Sequence, residues 1–541
     1  MIPSVFVHLD EFPLTGNGKL NMKALPEPDF TNTYTYIAPQ NETEKQLCII
    51  YEEILHLDAS TISVEDNFFA LGGNSILAIK LVNKINQVFN KNIRIVSIFT
   101  HKTIRKLADH LMQSHTSVQI TKPQVKEPEA QLLSFAQERL WFIESYEGGS
   151  NAYNIPIVFD IKDTVTLDSL LNAIKMVVHR HEVLRSLIRT NSEGNGYQIV
   201  QDDTLFPLPI ERIHLSSVKE KEEAISHAVN HIFKLDTEYP IQVKLYGLSE
   251  SYSMSIVVHH IAFDGWSINI LIKEILNYYQ YFELIRNKQE KAASGYLLAD
   301  LPVQYKDFAL WQRNYLTGEV LQKQMDYWVR KLSGYESLIL PTDRVRPPRI
   351  DFSGADLSFT LDSELSNRIR ETAQQAGVSV YSLLLGGYYL MLSAYSNQKD
   401  IVIGTAIANR NYPEISNMIG FFVNSLALRQ NIDKQLTLSK FIQQVGQTTD
   451  EAQLHQDLPF EKIVNELNVE TDASKNPIFQ VMFTLQNFGE KKHYEALSLL
   501  EIYNADNPVA KFDITTFMDD SQEEIKGIFN YATSLFNEET I

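Results

Sequence analysis

The stretch Asp66-Asn67-Phe68-Phe69-Ala70-Leu71-Gly72-Gly73-Asn74-Ser75 sets the organisation of the chain. A glycine pair delivers one hydroxyl to the start of an amphipathic run in which Ile76, Ile79, Val82, Ile85 and Phe89 fall at helical spacing. The free amides and positive dipole end of such a helix favour a phosphate at its mouth. Neither a histidine nor a second serine adjoins Ser75, so its hydroxyl lacks the base that would make it a nucleophile. The pattern suits a covalent attachment point.

Around that stretch the residues from Asn41 to Gln113 read as a small helical unit. Asn41 and Glu44 resemble a capping box. Leu47, Ile50, Tyr51, Ile54 and Leu55 mark one helical face, and a last helix carries Ile104, Leu107, Ala108 and Leu111. Three or four helices without a strand predict an all-α four-helix bundle over 39–114. It holds as many basic as acidic residues. Residues 1–26 are too few to fold alone, and polar, proline-bearing text at 27–38 and 115–130 reads as linkers. From 131 to 541 helical and strand patterns alternate, predicting a large two-lobed α/β region with lobes at about 131–305 and 306–541. Strands are expected at 253–260, 400–408 and 478–486, and helices at Leu167–Val178, Ser267–Leu284 and Val378–Ala394. The charged, proline-rich PTDRVRPPR (341–349) reads as a solvated loop crossing between the lobes.

Composition narrows the classes. The 541 residues are 44% hydrophobic and 21% charged, ordinary for globular protein. A formal net charge of −19 disfavours nucleic acid or an anionic membrane as the main partner. A single cysteine, Cys48, allows no intrachain disulfide and reads as core. No apolar run approaches the ~18 residues of a spanning helix, and the opening MIPSVFVHLDEF lacks the pattern of a signal peptide. A cytoplasmic location is the expectation.

A second constellation lies far downstream. A predicted strand, Ser253 to Val258, runs into His259-His260-Ile261-Ala262-Phe263-Asp264-Gly265, and a helix opens through Trp266-Ser267. Histidine can take a proton near neutral pH or orient an amine. Asp264 suits a helix cap, and the Gly265 amide could face developing negative charge. Taken alone, a histidine pair at a strand end is more often structural, with one imidazole pointing inward. Adjacent histidines in a strand point to opposite faces, so a metal site is not expected.

Together these residues are recognisable. Asp66 to Ser75 resembles the carrier-protein signature of nonribosomal peptide synthetases, and His259 to Gly265 is similar to the HHxxxDG motif of their condensation domains, relatives of chloramphenicol acetyltransferase. SFAQERLWF (134–142), RHEVLRS (180–186), YKDFALWQR (305–313), IGTAIANRNYPEISNMIGFFVNSLALR (403–429), HQDLPFEKIVNEL (455–467) and DASKNPIFQVMF (472–483) match the remaining condensation motifs in order. PLTGNGKLNMKALP (13–26) looks like the tail of an adenylation domain, with Lys19 as its catalytic lysine. Both ends then read as cut from a longer polypeptide.

The resemblance implies 4′-phosphopantetheine attached covalently to Ser75. It further implies that His260 positions the acceptor amine or takes its proton, that His259 supports the loop, and that Gly265 brings backbone close to the thioester. Asp264 would be structural, paired with Arg185 of the second motif. Implied partners are an upstream adenylation domain, a downstream aminoacyl carrier and a phosphopantetheinyl transferase. The opening motif and HHIAFDGWS resemble the subtype that accepts an L-configured donor. Two rival readings use the same residues: a shuttling module beside an inactive condensation domain, and an acyltransferase using diffusible CoA thioesters. The intact HHIAFDG weighs against the first, and the covalently linked carrier against the second.

Overall fold

The computed structural model describes residues 36–113, apart from 56, 74, 90, 92 and 94, together with 131–147, 151–469, 472–485 and 509–541. The segment 1–26 with Lys19, the linker at 115–130 and most of the linker at 27–38 lie outside the described residues.

The first unit is the expected helical bundle: α1 (Glu42–Leu55), α2 (Ser75–Phe89), α3 (Ile95–Thr100) and α4 (Ile104–Gln113). Asn41 Oδ1 accepts from the Glu44 N–H at 2.8 Å, while the Glu44 carboxylate reaches one residue further back, to the Gln40 N–H at 2.6 Å. Leu47, Tyr51, Leu81, Ile85, Ile98 and Leu107 bury the shared face. Phe68 is fully buried with its ring edge-on to Tyr51 at 5.4 Å, so the signature stretch is pinned to the core by its own aromatic.

The large unit begins with β1 (Gln131–Leu132), α5 (Phe135–Glu147) and β2 (Asn154–Ile161). Then follow α6 (Leu167–Arg180), β3 (Ser186–Thr190), β4 (Gly196–Val200), β5 (Ile210–Leu215), α7 (Val218–Val229), β6 (Ile241–Leu248), β7 (Ser251–His259) and α8 (Gly265–Arg286). A four-stranded sheet runs β2-β7-β6-β5, with a small sheet β1-β4-β3 beside it. Ser253 to His259 are all buried, so the strand carries Ser253, Ser255 and His259 into the interior along with its apolar residues. Helices α6 and α8 pack together in the first lobe.

After α9 (Glu290–Ala293), α10 (Tyr305–Tyr315) and α11 (Gly318–Leu332), the second lobe adds β8 (Gly354–Thr360), α12 (Ser363–Ala376), α13 (Val380–Ser396) and β9 (Asp400–Ile407). It continues with β10 (Asn424–Asn431), α14 (Leu438–Leu454), α15 (Phe460–Glu466), β11 (Val481–Leu485), β12 (Ile514–Asp519) and β13 (Lys526–Ala532). Its sheet order is β10-β9-β11-β12-β13-β8, with β11 parallel to both neighbours.

The lobes are joined by the β9–β10 loop, which leaves its own sheet and buries Tyr412, Ile415, Met418, Ile419 and Phe422 in the core of the first lobe. That corrects the expectation for 341–349. Arg346 pairs there with Asp513, and Arg344 bonds Asn537 at 2.7 Å, so the segment runs over the second lobe. A charged, proline-rich stretch suits an exposed path, whereas the junction needs apolar side chains to bury. Among the described residues no single helix is long and apolar enough to cross a membrane.

Candidate active site

In the carrier, the attachment loop is closed by its own backbone. The Leu71 N–H donates to Asn67 O at 3.0 Å and the Gly73 N–H to Phe68 O at 2.9 Å. Asn67 Oδ1 accepts from the Phe69 N–H at 2.9 Å. Gly72 has φ +98°, a conformation that L side chains rarely adopt. A Cβ on Gly73 would lie 2.4 Å from the Phe68 ring. The glycine pair is therefore a specific turn rather than a featureless hinge. Ser75 is the first residue of the 15-residue α2, whose opening amides have no intrahelical partner. A turn that only glycines permit, ending at a helix mouth, fits a phosphodiester on that serine.

At the lobe seam, β7 ends at His259 and one 3-10 turn, His260 to Ala262, separates it from α8. His259 faces inward. Its Nδ1 accepts from the Ile261 N–H at 3.1 Å, and its Nε2 lies 3.6 Å from Glu144 Oε1. His260 turns toward the seam, its ring edge-on to Phe421 of the β9–β10 loop at 4.6 Å. The buried His260 Nδ1 has no hydrogen-bond partner among the described residues. Burial, reinforced by the Lys511 cation and opposed by Asp264, holds this imidazole well below its ordinary range. It is neutral at pH 7, so its lone pair can accept a hydrogen bond from an amine, while the same burial weakens it as a base. Lys511 itself stacks over the Tyr153 ring at 4.8 Å, and burial pushes its ammonium down to about 8.

Asp264 is fully buried and caps α8, accepting from the Ser267 N–H at 2.9 Å and the Ser267 hydroxyl at 2.8 Å. Its other contacts cross the seam: Arg410 at 3.0 and 3.3 Å, and the Phe422 N–H at 3.1 Å. Arg410 is buried too. It donates to the carbonyls of Ile415 and Met418 at 2.8 and 2.6 Å and sits 4.2 Å over the Phe422 ring.

The expected Asp264–Arg185 pair is therefore wrong. Arg185 ends the short turn before β3 and donates to the carbonyls of Gln201 and His179, within the first lobe. From the same RHEVLRS segment it is His181 that reaches the crossing loop. Its Nδ1 accepts from the Ile419 N–H at 3.2 Å, while Nε2 meets Glu274 at 2.8 Å. Arg410 lay in plain view within IANRNY, but nothing in one sequence says which arginine a buried aspartate 146 residues away will choose. Lys511 carried no signal at all.

Gly265 opens α8, and a Cβ built there meets no atom within 4 Å. The protein leaves space at that position, five residues after His260 in the chain. His260, Gly265 and the buried Asp264–Arg410 pair are thus brought together, with His259 behind them and Arg185 apart.

A small helical bundle with a serine at a helix mouth, followed by two α/β lobes meeting at a histidine corner, defines a carrier joined to an acyltransferase-like fold. The chain belongs to the condensation-domain family: residues 127–541 match the model of the "Condensation domain", and 45–111 match the "Phosphopantetheine attachment site". The chain is 36% identical over 542 residues to N-(5-amino-5-carboxypentanoyl)-L-cysteinyl-D-valine synthase of Amycolatopsis lactamdurans, covering 99% of this chain and 14% of that one. It is 34% identical over 545 residues to bacitracin synthase 3 of Bacillus licheniformis, covering 100% and 8%. The chain thus spans a small fraction of the length of these relatives. Among solved structures, the X-domain from teicoplanin biosynthesis has a TM-score of 0.68 at 22% identity, covering 78% of this chain and 94% of that one. The condensation domain of the monacolin K polyketide synthase MokA has a TM-score of 0.62 at 19% identity, covering 75% and 93%. These likenesses concern the fold.

Proposed function

We propose that the chain is a carrier–condensation segment of a nonribosomal peptide synthetase and forms an amide bond. The supporting observation is His260: a neutral imidazole at the lobe seam, with a buried unpartnered Nδ1 and open space at the neighbouring Gly265. Phosphopantetheine on Ser75 would supply a thiol that carries the acyl donor as a thioester. The acceptor amine, presented by a downstream aminoacyl carrier, attacks the thioester carbonyl carbon. The C–N bond would form as the C–S bond breaks, with the nitrogen's proton passing by way of His260 to the departing thiolate of the arm.

A thioester is already activated, so holding the amine in line supplies much of the acceleration. Proton transfer to a positioned imidazole adds to it. His259 supports the turn through the Ile261 amide, and Asp264 fixes the lobes through Arg410. The Gly265 backbone leaves room for the thioester. An upstream adenylation domain would load the carrier, a phosphopantetheinyl transferase would modify Ser75, and the donor would be L-configured.

The test is to incubate the chain with a phosphopantetheinyl transferase and acyl-CoA, then add an aminoacyl carrier. A mass gain on the Ser75 peptide and amide product on the added carrier are expected, with both lost in Ser75→Ala. Loading without product would overturn the assignment of an active condensation domain.

A further inference from the structure

The carrier is seated on the second lobe and on the rim of the histidine corner. Its helix α3 packs against α14, and α2 against the 3-10 turn Pro413–Ile415 of the crossing loop. Trp266, directly after Gly265, packs against the carrier core together with Ala408 and Leu454. Among the described residues one ion pair spans this contact, Lys102 with Asp450, each side chain about one-third exposed.

Lys102 is tied to the attachment loop by its own backbone. Its carbonyl accepts from the Phe68 N–H at 2.9 Å, and Asn67 bridges Thr103 in an antiparallel pair. Asn67, Phe69 and Lys102 line one cavity together with Gly377, Ser379 and Asp450. Whatever fixes the Lys102 side chain therefore fixes the stretch that ends at Ser75. Asp450 is half of an acidic Asp450-Glu451 pair on α14, on a chain of net charge −19, whereas the carrier is charge-balanced. Desolvation at the contact raises the Asp450 carboxyl and Lys102 opposes it, so this carboxylate is poorly accommodated without a cation.

We propose that Asp450 on α14 recognises a carrier bearing a cation at the position of Lys102, and that this pair, through the loop that the Lys102 backbone holds, seats the chain's own carrier on the face that Trp266 helps to form. The inference rests on the reading that Ser75 bears the donor. Trp266, Ala408 and Leu454 supply apolar area that many bundles could cover, while the ion pair supplies sign and register. A carrier with an acidic residue there would meet two like charges and be refused.

The test uses the full chain with Lys102→Glu, Asp450→Lys and the double reversal. Two readouts are taken: hydrogen exchange of α3 and α14 in the unloaded protein, and single-turnover transfer from loaded Ser75 to an added aminoacyl carrier. Each single reversal is expected to raise exchange in both helices and to slow transfer about tenfold or more, with both restored in the double reversal. Unchanged exchange and transfer in the single variants, or no recovery in the double, would overturn the proposal. Failure of Ser75 to load in all four proteins would instead sink the reading of Ser75, and exchange in the unloaded chains would still decide the contact.

Discussion

The loop that presents Ser75 and the corner that presents His260 are held by different kinds of partner. In the carrier, Asn67 to Gly73 is closed by bonds between residues two to five apart, such as Asn67 Oδ1 to the Phe69 amide and Phe68 O to the Gly73 amide, and its longer tie, to Lys102 and Thr103, stays within the same bundle. At the corner, the partners of Asp264 and Ser267 beyond α8 itself are Arg410, Gly420 and Phe422, between 143 and 158 residues away. The first site forms whenever its own bundle folds. The second exists only when two lobes meet, so lobe docking and site assembly are one event.

This difference is most exposed by Arg410→Met. It leaves the Asp264 carboxylate buried without its cation, and the condensation unit should lose about 3–5 kcal/mol while the carrier transition stays put. Arg185→Met removes bonds to two backbone carbonyls and should cost about 1–2 kcal/mol. Chemical denaturation followed separately for the two units checks both. Comparable losses in the two variants would remove Arg410 from its place as the interlobe pin.

Gly73→Ala probes the other side. A methyl group there drives into the Phe68 ring and its carbonyl, and the carrier should lose about 1–3 kcal/mol with the condensation unit unaffected. A single merged transition in this variant, read by calorimetry, would contradict the independence of the bundle.

Acid should act on the corner more than on the loop. Burial lowers the folded pKa of both His181 and His260 below the ordinary value of 6.5. In the window below 6.5 the unfolded chain binds protons that the folded chain refuses. The stability of the condensation unit is therefore complete above about pH 6.5 and is lost as pH falls, by up to about 1.4 kcal/mol per pH unit for each histidine. Denaturation midpoints at pH 7, 6 and 5 should fall in wild type and fall less in His181→Gln.

The contrast between local and distant partners also explains what could be read in advance. DNFFALGGNS announces its turn because Gly72, Gly73 and the Phe68 anchor are adjacent in the chain, and the bundle follows from helical spacing around it. HHIAFDG likewise displays its strand end, its turn and the Asp264 cap. What stayed hidden is whatever depends on the lobes meeting: the choice of Arg410 over Arg185, the Phe421 ring against His260, and Lys511 over Tyr153. The crossing itself was sought in PTDRVRPPR because its composition looks like a connector, whereas the real junction hides its apolar side chains in a neighbour's core.

The smallest expected effect is the stability of Gly265→Ala. The space around that position is open, so thermal stability should stay within about 0.5 kcal/mol of wild type. A loss of transfer in this well-folded variant would report the substrate's own approach to the backbone. Full activity would mean that the space serves no substrate.

The central claim is that an acyl group held at Ser75 is passed to an amine beside a neutral His260. Rapid-quench transfer from loaded chain to an aminoacyl carrier, in wild type and His260→Ala with equal loading confirmed by mass, tests it most directly. A fall of about 100-fold or more with intact folding is the predicted result. An unchanged single-turnover rate would contradict it.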